Sequence, residues 1–285
     1  MRLVTYSSGR GERAGALRDE GIVDVWDALG GAPPAGWAPG VRTLLAAGLL
    51  DDARTAVAEA EPTVEIGAAR LLPPVLDPEK LIGIGLNYAS HAEEAGLEPP
   101  ATPTFFAKFR NALAPPGAEV ALPAASKKVD YEAEIAFVVG HRARDVAEPD
   151  ALDHLAGLTL LNDLSARDLQ FSTPQWMPGK VFDGSAPCGP ALVTLDEAGD
   201  PAAIELELTL NGETMQSAST GDLIHPIPAL LAHLSSLMTL EPGDVVFTGT
   251  PAGVGSLRRP RRWLAAGDAL VVRSPQLGRL ETRLS

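Results

Sequence analysis

The sequence predicts an α+β fold with mixed, mainly antiparallel β-sheets. Three observations predict it. From about residue 80 onward, short β-branched or alternating apolar runs outnumber helical patterns. Strand and helix do not alternate regularly, as a parallel βαβ fold would require. Glycine (28) and proline (25) are frequent, which suits many turns between short strands.

Taken in order, Leu3 to Tyr6 and Ile22 to Trp26 read as short strands, and Val41 to Leu50 and Ala53 to Ala60 as helical. Leu71 to Glu79, LLPPVLDPE, reads as a linker, so residues 1–75 are expected to form a small N-terminal α+β domain and residues 76–285 a larger one. Leu81 to Ile84 and Leu158 to Asp163 are apolar enough for buried strands. Tyr131 to Val139, YEAEIAFVV, alternates first and then turns wholly apolar, the mark of a central strand. Ile204 to Leu210 alternates as IELELTL and ends at Asn211-Gly212, a hairpin signal. Ile227, Leu230, Leu231, Leu234, Leu237 and Met238 recur at helical spacing behind Pro226 and Pro228. Asp244 to Thr248 and Ala269 to Val272 are further strands.

Composition bounds the function. Apolar residues make up 45% and charged residues 21% of 285, enough for an ordinary core. No apolar run approaches the ~18 residues of a membrane span, and MRLVTYSSGRGERAG lacks the apolar stretch of a signal peptide. The single cysteine, Cys188, excludes an internal disulfide framework, so a cytoplasmic location is expected. A net charge of −14 makes nucleic acid and anionic membranes poor partners. An anionic small molecule must then be held by local cations.

Asp130, Glu132 and Glu134 lie two apart, so on one strand they share a face. Such a row is ordinarily a solvated face. Here the strand continues into IAFVV, and like charges on a central strand repel unless a cation sits among them. Mg²⁺ or Mn²⁺ takes oxygen ligands of this kind. Asp163, after the apolar run GLTLLN, is a candidate third ligand; alone it reads as a helix N-cap. Gly83-Ile84-Gly85 is not a dinucleotide fingerprint, because the third glycine falls at Tyr88. His91 and Glu94, three apart, are side by side on a helical turn. A carboxylate orienting an imidazole makes a general base near neutral pH, although such pairs are usually surface contacts. Thr250, in the loop GTPAGVG, offers a hydroxyl and nearby backbone N–H groups to a carboxylate, or is simply part of a glycine-rich turn. His141, His154, His225 and His233 show no metal-ligand spacing, and Arg258, Arg259, Arg261 and Arg262 read as a solvated basic loop.

Val129–Ala136, VDYEAEIA, resembles the metal-binding signature of the fumarylacetoacetate hydrolase superfamily. LNDLSARDLQ (161–170), GKVFDGSAPCGP (179–190) and FTGTPAGVG (247–255) are similar to its following blocks, and GIGLNYASHAEEAG (83–96) and FFAKFRNAL (105–113) to its preceding ones. The order is preserved over about residues 78–275. The resemblance implies a catalytic domain on a rolled, mainly antiparallel sheet, and a homodimer. It implies Glu132, Glu134 and Asp163 as ligands of Mg²⁺ or Mn²⁺, and Lys180 as a charge-stabilising lysine. Lys108, Arg167, Gln170 and Thr250 match substrate-binding positions. His91 and Glu94 match a water-activating dyad on a mobile lid, here residues 87–97, which carry few large apolar anchors. Val181 departs from the small or hydroxylated residue expected after the lysine.

The implied activity is cleavage of a C–C bond in an acylpyruvate-type 2,4-dioxo acid, through an enolate stabilised by the metal and Lys180. The same site suits oxaloacetate decarboxylation or isomerisation of an unsaturated 2-oxo diacid. A non-catalytic binding protein on the same fold is the competing class; the retention of every ligand carboxylate and of Lys180 argues against it.

Overall fold

The computed structural model describes residues 1–19 and 21–285. Its main feature is an eleven-stranded mixed sheet. The order runs Gly21–Asp24, Gly11–Arg18, Arg2–Ser8, Ala186–Val193, Leu155–Asn162, Ala133–Val139, Val245–Phe247, Leu81–Gly85 and Thr104–Lys108, with Arg70–Leu72 and Leu113–Ala114 attached to its flank. Along this path only Val245–Phe247 and Leu81–Gly85 pair in parallel. A second sheet of five strands holds Glu213–Ser219, Glu205–Leu210, Ala269–Ser274, Gly278–Leu284 and Ala118–Val120. The fold is thus α+β with mixed, mainly antiparallel sheets. Among the described residues no helix is long and apolar enough to cross a membrane.

Ala133–Val139 shows why the main sheet holds. All seven residues are buried. Ile135, Phe137 and Val139 enter one apolar core, and Ala136 and Val138 enter the other. A strand packed on both faces needs apolar residues at every position, which is what IAFVV provides. Burying each large side chain stabilises the fold by about 1.5–3 kcal/mol. Helix Ile227–Leu237 packs Leu230, Leu231 and Leu234, all fully buried, against the first core. Asn211 (φ 51°) and Gly212 (φ 87°) both take positive φ, the conformation that a two-residue hairpin demands.

The structure departs from the sequence expectations in two places. The strand starting at Ile22 stops at Asp24, whose carboxylate accepts Asp27 N–H at 2.9 Å and opens the helical turn Val25–Ala28. Residues 129–139 are not one strand. Val129–Asp130 pairs with Ser165–Ala166, and the main strand resumes only at Ala133. The break is satisfied by side chains. Asp130 Oδ1 accepts Tyr131 N–H at 2.9 Å, Asn162 Oδ1 accepts Glu132 N–H at 3.1 Å, and Gln216 Oε1 accepts Ala133 N–H at 3.0 Å. Arg2–Ser8 pairs with Ala186–Val193, with Leu3 opposite Leu192, so strands from both sides of the 71–79 segment share one sheet.

Candidate active site

The break in the carboxylate strand sits beside a cavity of about 420 Å³. Glu132 occupies the break, and Glu134 lies on the resumed strand opposite Leu161. Asp163 follows Leu155–Asn162 directly, and its N–H donates to Glu132 O at 2.8 Å. One carboxylate oxygen from each of Glu132, Glu134 and Asp163 lies within 4.8 Å of the others, and all three residues are buried. Asp163 therefore caps no helix; the short helix Arg167–Gln170 has Ala166 at its N-cap.

Three buried cations surround these carboxylates. Lys180 Nζ lies 2.6 Å from Glu132 Oε2 and 2.7 Å from Asp163 Oδ2. Arg167 Nη1 lies 2.7 Å from Glu132 Oε1. Lys108 Nζ lies 2.8 Å from Asp163 Oδ1, yet off the hydrogen-bond direction, so that buried oxygen keeps no hydrogen-bond partner.

The charges are unequally shared. Burial opposes ionisation of Glu132, but the adjacent Arg167 and Lys180 outweigh it and hold its carboxyl well below the usual range. Glu134 has only the Gly249 N–H at 2.6 Å beside it. Burial, reinforced by the like charges of Asp163 and Glu132, pushes its carboxyl well above the usual range. Burial lowers Lys108. It also works against Lys180, but Asp163 and Glu132 win and raise that ammonium. The donor set fits a hard divalent cation. It offers three buried carboxylates whose oxygens converge, and among the described residues Glu134 has no ion-pair partner.

His91 lines the cavity from helix Ala89–Ala95. Its Nδ1 lies 3.4 Å from Glu94 Oε2, a long contact of the kind that tightens when a site is loaded. Both Glu94 oxygens accept Gly253 N–H at 3.1 Å, tying this helix to the loop GTPAGVG. Burial raises the Glu94 carboxyl, but His91 and Gly253 N–H more than compensate, so it stays an anion. The start of this segment is firmly anchored. Tyr88 is fully buried, and Asn87 donates to Thr248 O at 2.9 Å and His225 O at 3.0 Å.

The structure brings Arg167, Gln170, Lys180 and Thr250 to the cavity wall. The Thr250 hydroxyl is already engaged: it donates to Ala133 O at 3.0 Å and accepts Gln216 Nε2 at 2.8 Å. Lys108 does not line the cavity; it stands behind Asp163, held by Ser185 Oγ at 2.9 Å. Val181 is not on the wall either. The basic run is not simply solvated. Arg258 Nη2 donates to Met215 O at 2.6 Å, Arg262 pairs with Asp268 at 2.8 Å, and Arg261 reaches the cavity.

Sequence reasoning missed the apolar wall, formed by Phe106, Phe171, Trp176 and Trp263 with Leu97 and Leu257. Two of the chain's four tryptophans stand there, and that scarcity was the available signal. Trp176 lies over Gly85, where a Cβ would come within 2.2 Å of its ring, and meets Phe106 edge-on at 6.0 Å. Gly85 thus serves a close ring approach.

Residues 80–285 match the family model described as fumarylacetoacetate (FAA) hydrolase C-terminal. The chain is 42% identical over 210 residues to oxaloacetate tautomerase fahd2, mitochondrial, of Xenopus laevis, covering 73% of this chain and 66% of that one. It is 37% identical over 298 residues to the fumarylacetoacetate hydrolase domain-containing protein 2 homolog of Dictyostelium discoideum, covering 98% and 96% of the two. Among solved structures, fumarylacetoacetate hydrolase from Exiguobacterium antarcticum superposes with a TM-score of 0.82 at 31% identity, over 100% of this chain and 99% of that one. Maleylpyruvate hydrolase from Sphingobium sp. SYK-6, solved with a manganese(II) ion and pyruvate, superposes with a TM-score of 0.81 at 30% identity, over 100% and 98%. With that match across the carboxylate cluster and the dyad, this chain belongs to the fumarylacetoacetate hydrolase family.

Proposed function

We propose that this chain catalyses keto–enol proton transfer on a small, oxaloacetate-like 2-oxo acid. The observation that carries the reading is His91, backed by Glu94, on the wall of the same cavity as the Glu132–Glu134–Asp163 cluster. Glu132, Glu134 and Asp163 would hold Mg²⁺ or Mn²⁺, which supplies Lewis-acid polarisation of an oxygen when bound. His91 takes the proton from the carbon beside the keto group and delivers it to the keto oxygen, giving the enol, or carries it from the enol oxygen back to the carbon in the reverse direction, with Glu94 fixing its ring. Lys180 and Arg167, which line the cavity and pair with Glu132, would place positive charge near the oxygens on which negative charge grows. The apolar wall excludes water that would compete for the proton. The relatives named as oxaloacetate tautomerases support this reading.

A second reading is hydrolysis of an acylpyruvate-type 2,4-dioxo acid, in which His91 takes its proton from water. The apolar wall favours it, because Trp176, Phe106 and Trp263 suit an acyl tail that oxaloacetate lacks. A panel with Mg²⁺ and Mn²⁺ separates the readings: enol-oxaloacetate, acylpyruvates and unsaturated 2-oxo diacids. Faster loss of enol absorbance for oxaloacetate supports the first reading. Cleavage of acylpyruvates without any effect on enol-oxaloacetate replaces it with the second. We also propose that the chain works as a homodimer.

A further inference from the structure

Asp130 is fully buried, and its carboxylate accepts four hydrogen bonds. Oδ1 accepts the N–H groups of Tyr131 at 2.9 Å and Gly255 at 2.8 Å; Oδ2 accepts Ser256 N–H at 3.0 Å and Arg167 Nε at 2.9 Å. A carboxylate offers about four lone-pair sites, so none is left for a metal ion. Asp130 stands two residues from Glu132, yet its donors set it apart from the ligand cluster.

Two of those donors, Ser256 and Arg167, belong to residues that line the cavity. Ser256 and Leu257 line it, followed by Arg261 and Trp263. Gly255 can approach Asp130 only without a side chain: a Cβ there would lie 1.9 Å from Arg262 O and 2.8 Å from Asp130 Oδ1. On the other side stands Arg167, whose Nη1 reaches Glu132 at 2.7 Å and Gln170 Oε1 at 3.1 Å. Arg167 lines the cavity, and its Nη2 is buried without a hydrogen-bond partner among the described residues. A guanidinium is planar, so holding Nε and Nη1 fixes the direction of Nη2. An unpaired buried donor is costly, and an anionic acceptor relieves that cost.

We propose that Asp130 is a positioning residue: it aims Arg167 Nη2 at the carboxylate of the bound 2-oxo acid and fastens the loop 253–263 to the same grip. This rests on the 2-oxo acid reading of the cavity. Asp130 acts through Arg167 and the loop, and touches neither the metal nor the substrate.

Calorimetry with Mn²⁺ and then with pyruvate tests it on the wild type, Asp130→Asn, Arg167→Gln, Arg167→Lys and the Asp130→Asn/Arg167→Gln double variant. Asp130→Asn should weaken pyruvate binding about tenfold or more, the scale of losing a hydrogen bond to a charged group, while Mn²⁺ affinity falls less. The double variant should bind pyruvate no more weakly than Arg167→Gln alone, because the two residues act in series. Arg167→Lys keeps the charge but loses the Nε bond, so it should bind pyruvate as poorly as Arg167→Gln. That variant decides the matter if Asp130→Asn does not fold, and wild-type affinity in it would overturn the proposal. Additive losses in the double variant, or a larger fall in Mn²⁺ than in pyruvate affinity for Asp130→Asn, would also overturn it. Failure of the wild type to bind pyruvate in the presence of Mn²⁺ would overturn the 2-oxo acid reading itself, and the grip with it.

Discussion

Lys180 Nζ lies 2.6 Å from Oε2 of Glu132, closing a buried ion pair between the 179–185 turn and the broken carboxylate strand. Arg167 holds the other oxygen of the same carboxylate at 2.7 Å. Glu132 is therefore ionised at neutral pH, which is the state a metal ligand requires.

Glu132→Gln removes this charge while keeping the volume. The variant should lose Mn²⁺ affinity by about tenfold or more, on the scale of a lost ligand or its support. It should also keep a cooperative thermal transition. Calorimetric titration checks it; affinity equal to the wild type would remove Glu132 from the ligand set.

The acid side of the stability profile should report Asp24, which is remote from the cavity. It accepts Tyr6 Oη–H at 2.6 Å, Arg13 Nη2–H at 2.8 Å and Asp27 N–H at 2.9 Å. Burial raises its carboxyl, but Arg13 and Tyr6 prevail and hold it below the usual range. A carboxyl lowered by folding stabilises the protein above its unfolded pKa of about 3.9, and that stability is lost as pH falls through the folded value. Asp24→Asn should cost about 1–3 kcal/mol at pH 7 and flatten the acid limb. Thermal melting from pH 7 down to pH 3 measures both effects.

Trp176→Ala opens the apolar wall. Under the hydrolytic reading it should raise KM about tenfold for an acylpyruvate with a bulky acyl group, on the scale of one lost aromatic contact. Enol-oxaloacetate conversion should change less. Equal changes for both substrates would mean that Trp176 shapes the whole cavity rather than an acyl subsite.

The edge strand Thr104–Lys108 ends the main sheet and leaves Phe105 39% and Phe109 51% exposed. Exposed aromatics on an open sheet edge suit burial against another chain. Light scattering at micromolar concentration should give twice the mass of the 29.7 kDa chain, and Phe109→Glu should shift it toward the monomer. A wild-type monomer would contradict the homodimer.

Much of this architecture is legible in the sequence, for identifiable reasons. IELELTL alternates because one face of Glu205–Leu210 is buried, and Asn211-Gly212 tolerates the positive φ of its turn. Glu132, Glu134 and Asp163 can be read together through the resemblance to the family's signature blocks; period two alone groups Asp130 with Glu132 and Glu134, and the structure brings only the latter two together with Asp163. The break at Tyr131-Glu132 is not legible. The N–H groups of Glu132 and Ala133 are satisfied by Asn162 and Gln216, which are 30 and 83 residues away from them in sequence. The position of Lys108 behind Asp163 is equally hidden, since it depends on Ser185. The joining of Arg2–Ser8 to Ala186–Val193 is a non-local pairing that no local pattern announces.

Proton movement by His91 on a 2-oxo acid beside the carboxylate cluster is read out by the rate at which enol-oxaloacetate absorbance decays with Mn²⁺ present, for the wild type and His91→Ala. The wild type should accelerate the decay, and His91→Ala should lose about 10²-fold or more of that acceleration, the scale of general-base catalysis, with Mn²⁺ affinity retained. An unaccelerated decay with the wild type, or a His91→Ala variant as fast as the wild type, would contradict it.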